Sequence, residues 1–392
     1  MRVLFTAAPG YGHVQPLLPL AEQLQKSGHE VAVATGPGLT PRIEDAGFRA
    51  FAVGLDLADW FAELARRRPD RPWEQLPPEG IMQFFTPHLF GEIGAPATLG
   101  DLAPLVEHWK PDLLVHDSFE FAGPVAGRLA GIPTVHHTVS PLPGADVQRL
   151  TSEAVAPMWR ERGLPPEPAM GSGTNLCLDI CPPSLRNGDA VVGGQVLALR
   201  PVPATAAQPE PMPSWAASLP EQPTVHVTLG TSVTNADQSV LTRILDGLRA
   251  EALNVVVTVG PGNDPAALGE QPPNVHVERY LPHSLLLPLC DLVVSHGGAG
   301  TMLAALSHGL PLLSVPQGAD QYFNAEICEA RGVGHTVVVG DLTPERARSE
   351  VELLLDDPGV RQRAREVQAE IAAMPAADDV VRELERIAGV GH

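Results

Sequence analysis

The 392-residue sequence predicts an α/β protein made of two parallel-sheet units in tandem. Short β-rich apolar runs alternate with longer amphipathic stretches, the pattern of a parallel sheet whose crossovers are helices. The alternation restarts after residue 223. Between the halves stand Pro201, Pro203, Pro209, Pro211, Pro213, Pro220 and Pro223. That density excludes a helix or central strand and suits an extended, semi-rigid linker. At about 150 residues per domain, a chain of this length holds two or three.

In order, residues 3–7 read as a strand, and 14–27 as a helix with Leu17, Leu18, Leu20, Ala21 and Leu24 on one side. Strands follow at 30–35 and 111–116, a helix at 122–130 and a strand at 133–136. The second half repeats the scheme: strand 224–229, helix 236–250, strands 254–259 and 292–295, helix 299–308, strand 311–315. The tail 344–389 is helical in pattern, interrupted near Pro358 and Pro375. The expected domains are 1–200, a linker at 201–223, 224–374, and a C-terminal helix within 375–392. That helix packs on its own domain or crosses back to the first, a choice the sequence leaves open.

Composition narrows the function. Twenty-six basic against 46 acidic residues give a net charge of -20, which repels phosphate backbones and anionic lipid. Nucleic acid and membrane surfaces are therefore poor partners. With 44% hydrophobic and 18% charged residues the chain is expected to fold rather than stay disordered. No apolar run approaches the ~20 residues of a membrane span. The N-terminal apolar stretch breaks at Pro9-Gly10, too early for a signal peptide, so the expected compartment is the cytoplasm. Cys177, Cys181, Cys290 and Cys328 are too few for a disulfide scaffold and lack zinc-finger spacing. Nine of the ten phenylalanines precede the linker, many in an irregular stretch at 56–92 with Trp60, Phe61, Trp73, Met82, Phe84, Phe85 and Phe90. As a cluster these read as the lining of an apolar pocket, with plain core packing as the alternative for each residue.

Open parallel sheets bind ligands at the C-terminal ends of their strands. After the first strand comes Ala8-Pro9-Gly10-Tyr11-Gly12-His13. A dinucleotide fingerprint needs glycine at position 15 and finds Gln15, which argues against a nicotinamide or flavin enzyme. His13 remains, a side chain suited to accept a proton near neutrality. Asp117, just after the strand at 111–116, stands on the same edge as an orienting carboxylate. In the second half, Ser295-His296-Gly297-Gly298-Ala299-Gly300-Thr301 links a strand to a helix. Main-chain N–H groups at such a helix start attract anions, and glycines let phosphate come close. Leu229-Gly230-Thr231-Ser232 adds donors after the first strand of that half, and together the two loops describe a diphosphate cradle. No Asp-x-Asp pair is present, and His136-His137 would point to opposite faces of a strand, so protein donors rather than a metal are expected to meet the charge. Gly-x-Ser-x-Gly and P-loop patterns are absent, against a serine hydrolase or kinase.

The segments MRVLFTAAPGYGHVQPLLPLAEQLQKSGHEVAVATG, VTLGTS and, above all, DLVVSHGGAGTMLAALSHGLPLLSVPQGADQYFNAEICEARGVG resemble the nucleotide-sugar-dependent glycosyltransferases of the GT-B fold, specifically their bacterial natural-product branch. The resemblance runs end to end. It implies two Rossmann-like domains facing across a cleft, the acceptor on the first and the nucleotide sugar on the second. By position it makes His13 the general base and Asp117 its partner. Gly12, Thr231, Ser232, His296, Gly298, Gly300 and Thr301 fall to the donor diphosphate, Tyr280 and Leu281 to the nucleobase, Asp320 and Gln321 to the sugar hydroxyls. Tyr280 stands where relatives often have Trp, and His283 where Gln is commoner. Trp60, Phe61, Phe84, Phe85 and Phe90 are the acceptor-side candidates.

The implied reaction is inverting, metal-independent transfer of a sugar, a thymidine diphosphate deoxysugar first, to a bulky apolar natural product. The co-substrate is the nucleotide sugar, no separate cofactor is required, and the protein acts as monomer or homodimer. A uridine diphosphate glucose-dependent, detoxifying transferase is the near alternative. Two other classes stay open. An epimerase of the same fold would need no acceptor and no apolar stretch, and an auxiliary protein would be expected to lack His13 and the phosphate loop.

Overall fold

The structure is a computed structural model that describes residues 1–70, 76–167, 174–202, 212–230, 238–260 and 262–390. It divides into two compact units. The first comprises Met1–Pro182, Arg186–Arg200 and Met374–His392, the second Pro183–Leu185 and Pro201–Ala373.

The first unit contains β1 (Arg2–Thr6), β2 (Glu30–Thr35), β3 (Arg49–Ala52), β4 (Leu113–Asp117), β5 (Thr134–His137), β6 (Leu176–Asp179) and β7 (Gln195–Ala198). They form one sheet in the order β3-β2-β1-β4-β5-β6-β7, and every pair is parallel. The second unit holds β8 (Thr224–Thr228), β9 (Asn254–Thr258), β10 (Val275–Glu278), β11 (Leu292–Ser295), β12 (Leu312–Ser314) and β13 (Gly334–Thr336). Their order is β10-β9-β8-β11-β12-β13, again all parallel. Each sheet has helices on its faces, so its central strands bury both sides. Val3, Leu4 and Phe5 of β1 and Val293 and Val294 of β11 are fully buried. The fold class is the predicted one, α/β with two Rossmann-like sheets.

Several local expectations are corrected. The helix predicted over 14–27 is divided into Tyr11–Val14, a tight 3-10 turn Gln15–Leu17 and Leu18–Lys26. Pro16 and Pro19 lack the N–H that an unbroken ladder needs. Among the described residues the stretch at 56–92 is mostly helical: it forms helices Leu57–Arg67 and Pro78–Phe85 and begins a π-helical segment, Thr86–Gly94. The proline-rich linker contains a 3-10 turn, Ser214–Ser218. There Trp215 stacks on His276 at 4.3 Å and donates its indole N–H to Glu278 at 2.8 Å, pinning the turn to β10.

The tail forms helices Pro344–Asp356, Pro358–Ala373 and Ala377–Ile387. The last belongs to the first unit, where Glu385 bonds His29 at 3.0 Å. All four cysteines are buried, and none of them forms a disulfide. Among the described residues no helix is long and apolar enough to cross a membrane.

Candidate active site

Where the strand order of a parallel sheet reverses, the flanking crossovers leave in opposite directions and a crevice opens at the C-terminal ends of the strands. In the first sheet that point lies between β1 and β4, in the second between β8 and β11. His13, Asp117 and His296 stand at or after the ends of β1, β4 and β11, whereas Tyr280 and Leu281 follow β10 and Asp320 and Gln321 follow β12.

Asp117 ends β4 and is fully buried. The main chain clamps its carboxylate: Oδ2 accepts from the Ala8 N–H at 2.7 Å and Oδ1 from the Phe119 N–H at 2.6 Å. His13, in the helical turn after β1, brings Nδ1 to 3.3 Å from Asp117 Oδ1. A carboxylate held by two amides cannot swing away, so it fixes the ring and favours the tautomer with hydrogen on Nδ1. The imidazole, 21% exposed, lies against Phe90 at 5.5 Å and Phe119 at 5.4 Å. Phe90 reaches it from the π-helical segment, a distortion often found at functional sites. Gly12, one residue earlier, is exposed, and a Cβ there would meet nothing within 4 Å.

The aromatic candidates separate. Phe61, Phe85 and Phe90 are half-buried, and Phe61 meets Phe85 edge-on at 5.7 Å. Trp60 and Phe84 are read from the sequence as pocket wall, yet the structure packs them into a core with Leu64, Leu89 and Ile93, 2% and 4% exposed. Trp60 fits because Gly94 has no side chain: a Cβ there would stand 2.4 Å from the indole. Trp73 lies outside the described residues. Phe119 was missed, although its place two residues past Asp117 on the functional edge was a usable signal.

In the second unit His296 follows β11, and the helix Ala299–Ser307 begins three residues later with Gly298 as its cap. The imidazole lies between two glycines. A Cβ at Gly230 would stand 2.5 Å from its Cε1, and one at Gly298 2.4 Å from its Nε2. Gly230 also has φ +82°, a conformation costly to residues with a side chain. Burial pushes the ring down to about 4, so at neutral pH it is an uncharged hydrogen-bonding group. Its Nδ1 is buried with no partner among the described residues, a polar atom that a ligand could satisfy. Thr301 is buried in the first turn of the helix, and Gly300 is exposed there. Thr231 and Ser232 lie outside the described residues.

Asp320 and Gln321 begin the helix Gln321–Arg331, whose first carbonyl lies 3.0 Å from where a Gly297 Cβ would be. Gln321 Oε1 accepts from the N–H groups of Gln317 and Gly318 at 2.8 and 3.1 Å. That pair of hydrogen bonds steadies a turn in which Ala319 has φ +52°, at a cost of about 1–2 kcal/mol. Asn324, which the sequence did not flag, is fully buried and donates to the Gly297 carbonyl and to Asp320 Oδ2, each at 3.0 Å. It thereby fastens the glycine loop to the acidic cap. Tyr280, 39% exposed, and buried Leu281 follow β10, three strands from β11. His283 turns toward the interior against His226 at 5.6 Å, and burial pushes it down to about 4. Among the described residues, no group of three or more His, Cys, Asp or Glu could hold a metal ion.

Solved structures supply the class. The glycosyltransferase VinC in complex with dTDP matches with a TM-score of 0.78 and 29% identity, covering 100% of both chains. The spinosyn rhamnosyltransferase SpnG, complexed with thymidine diphosphate, gives 0.82 and 28% identity over 98% of this chain and 100% of its own. With its two parallel sheets, the protein is a glycosyltransferase of the GT-B fold.

Sequence comparison narrows this further. The family "Erythromycin biosynthesis protein CIII-like" matches through its N-terminal domain at residues 22–230 and its C-terminal domain at residues 242–387. L-demethylnoviosyl transferase of Streptomyces niveus is 35% identical over 380 residues, 96% of this chain and 95% of the relative. Elloramycin glycosyltransferase ElmGT of Streptomyces olivaceus is 30% identical over 100% of this chain and 98% of its own. The chain belongs to the EryCIII-like glycosyltransferases of antibiotic biosynthesis.

Proposed function

We propose that the protein moves a deoxysugar from a thymidine diphosphate donor to a bulky, largely apolar natural-product hydroxyl, with inversion at the anomeric carbon and without a metal. The observation that carries this is the His13–Asp117 pair, a solvent-reaching imidazole backed by a carboxylate clamped at 2.7 and 2.6 Å. With hydrogen on Nδ1, His13 Nε2 takes the acceptor proton. The acceptor oxygen bonds the anomeric carbon while the bond from that carbon to the diphosphate breaks on the opposite face. Asp117 stabilises the imidazolium that results.

The leaving diphosphate takes its hydrogen bonds from the main chain at Gly298–Thr301, the Thr301 hydroxyl and neutral His296, with the dipole of the helix Ala299–Ser307 behind them. Tyr280 stacks on the base. Three strand spacings of about 4.8 Å separate β10 from β11, roughly 14 Å, a span suited to an extended nucleoside diphosphate. Asp320 binds sugar hydroxyls, and Gln321 shapes its turn. On the acceptor side half-buried Phe61, Phe85 and Phe90 form the apolar wall, and buried Phe119 backs the imidazole. Thymidine diphosphate in the VinC and SpnG complexes, and the spinosyn aglycone in another SpnG complex, support the substrate classes.

The test is a panel of thymidine diphosphate deoxysugars and uridine diphosphate glucose against polyketide and aromatic aglycones, with chelator in every reaction. The expected product is a glycoside of opposite anomeric configuration to its donor, by proton NMR. Retention of configuration, or turnover of donor without acceptor, contradicts the proposal.

A further inference from the structure

A second carboxyl group lies behind the dyad. Glu120 is 2% exposed, and its two oxygens accept from the N–H groups of Ala122 and Gly123, each at 2.8 Å. It thus caps the helix Ala122–Ala130 from within the turn that leaves β4. The same turn carries Asp117, whose carbonyl accepts the Glu120 N–H at 3.3 Å, and Phe119, which touches His13. Gly123 makes room: a Cβ there would stand 2.8 Å from Glu120 Oε2, 2.9 Å from the His116 Cβ and 2.9 Å from Thr6 Cγ2. Glu120 is therefore wedged between β1, β4 and the helix, and the dyad rests on the segment it holds.

We propose that Glu120 is a positioning residue for the His13–Asp117 dyad, fixing the turn that presents Asp117 and Phe119 and coupling its own charge to theirs. This rests on the reading of His13 as the base. Physically, two carboxylates three residues apart in a dry interior resist carrying charge together. The titratable groups around Glu120 are His116 and Asp117, both from β4; β1 contributes Thr6, and the helix Ala122 and Gly123, none of which titrates. His116 is pushed down to about 4 by burial and is neutral. Burial and then Asp117 push the Glu120 carboxyl up to about 7, so it gains and loses its proton near neutrality. An ionised Glu120 adds negative charge behind Asp117, and a protonated one removes it.

The experiment labels histidine with ¹⁵N in the full chain, assigns His13 by the signal lost in His13→Ala, and follows its titration in wild type and Glu120→Gln. The expected wild-type curve has a component near pH 7 that is absent in Glu120→Gln, and the kcat of the variant falls on the order of tenfold with the thymidine diphosphate Kd unchanged. Superimposable His13 titrations overturn the proposal. Glu120→Asp, which keeps the charge but reaches less far, is expected to retain the pH component and lose part of kcat. It tests the same point should the Gln variant not fold, and loss of the component in this variant overturns the proposal. Because the titration needs no substrate, wild type that transfers no sugar while His13 titrates as expected counts against the function and not against Glu120.

Discussion

Replacing His13 with alanine is expected to lower kcat for sugar transfer by about 10²–10⁴-fold, the usual contribution of a general base. Thymidine diphosphate affinity is expected to stay within about twofold of wild type, because the diphosphate is assigned to groups of the second unit and His13 stands in the first. The loss should fall on kcat more than on the acceptor KM, because Phe90 and Phe119, which line the imidazole, remain. Steady-state kinetics with a saturating donor, alongside calorimetric titration of the nucleotide, separate the two quantities. Unchanged turnover removes His13 from the chemistry; lost nucleotide affinity would move it to the donor site.

Acid is expected to destabilise the protein steeply, and the second unit more than the first. Burial holds His116, His137, His283 and His296 down to about 4 and His136 and His226 well below 6.5. A histidine neutral in the fold but free to charge when unfolded contributes full stability above pH 6.5. The contribution is lost as pH falls toward the folded value, since the unfolded chain then binds more protons. Between pH 7.5 and 5.5 each loses roughly 1–2 kcal/mol, on the order of 4 kcal/mol for the three in each unit.

Glu120 acts in the opposite sense. Its folded carboxyl, raised to about 7, costs stability at high pH and restores part of it as the pH drops from about 7 toward 4.5. It restores about 2 kcal/mol over the same interval, to the first unit alone. Scanning calorimetry at pH 7.5 and 5.5 should therefore resolve a transition that falls faster with acid, and that transition should be the one thymidine diphosphate raises. Equal stability at the two pH values would contradict the buried, neutral state of these rings.

The parts of the fold legible in the sequence are those with the least environmental freedom. β1, β4 and β11 each carry three consecutive buried apolar residues, β8 alternates valine with buried Thr and His, and His13, Asp117 and His296 stand at or after the ends of the first three. β3, with exposed Arg49 and Ala52, and β10, with His276 and Glu278, lie at sheet edges and break that pattern, so they escaped detection. The glycine loop was legible because a ring between Gly230 and Gly298 tolerates no side chain at either position.

Among the aromatics composition alone misled. Trp60 and Phe61 are neighbours on one helix, but Trp60 faces inward with Leu64, one turn on, and only the partner glycine at position 94 decides how deeply it sinks. Asn324 and Glu120 share a different difficulty. Each acts by bonding main-chain groups, Gly297 O in one case and the Ala122 and Gly123 N–H groups in the other, and such partners leave no motif to read.

The central claim is that the second unit binds a nucleoside diphosphate to be displaced by an acceptor, and it is tested most directly by thermal shift with thymidine diphosphate, uridine diphosphate and NAD at matched concentrations. A ligand that binds only the folded protein stabilises it by about 2.7 kcal/mol at a hundredfold excess over Kd. The expected order is a clear rise with thymidine diphosphate, a smaller one with uridine diphosphate and none with NAD. No shift with either diphosphate would contradict the cradle at His296–Thr301, and the proposed transfer mechanism with it.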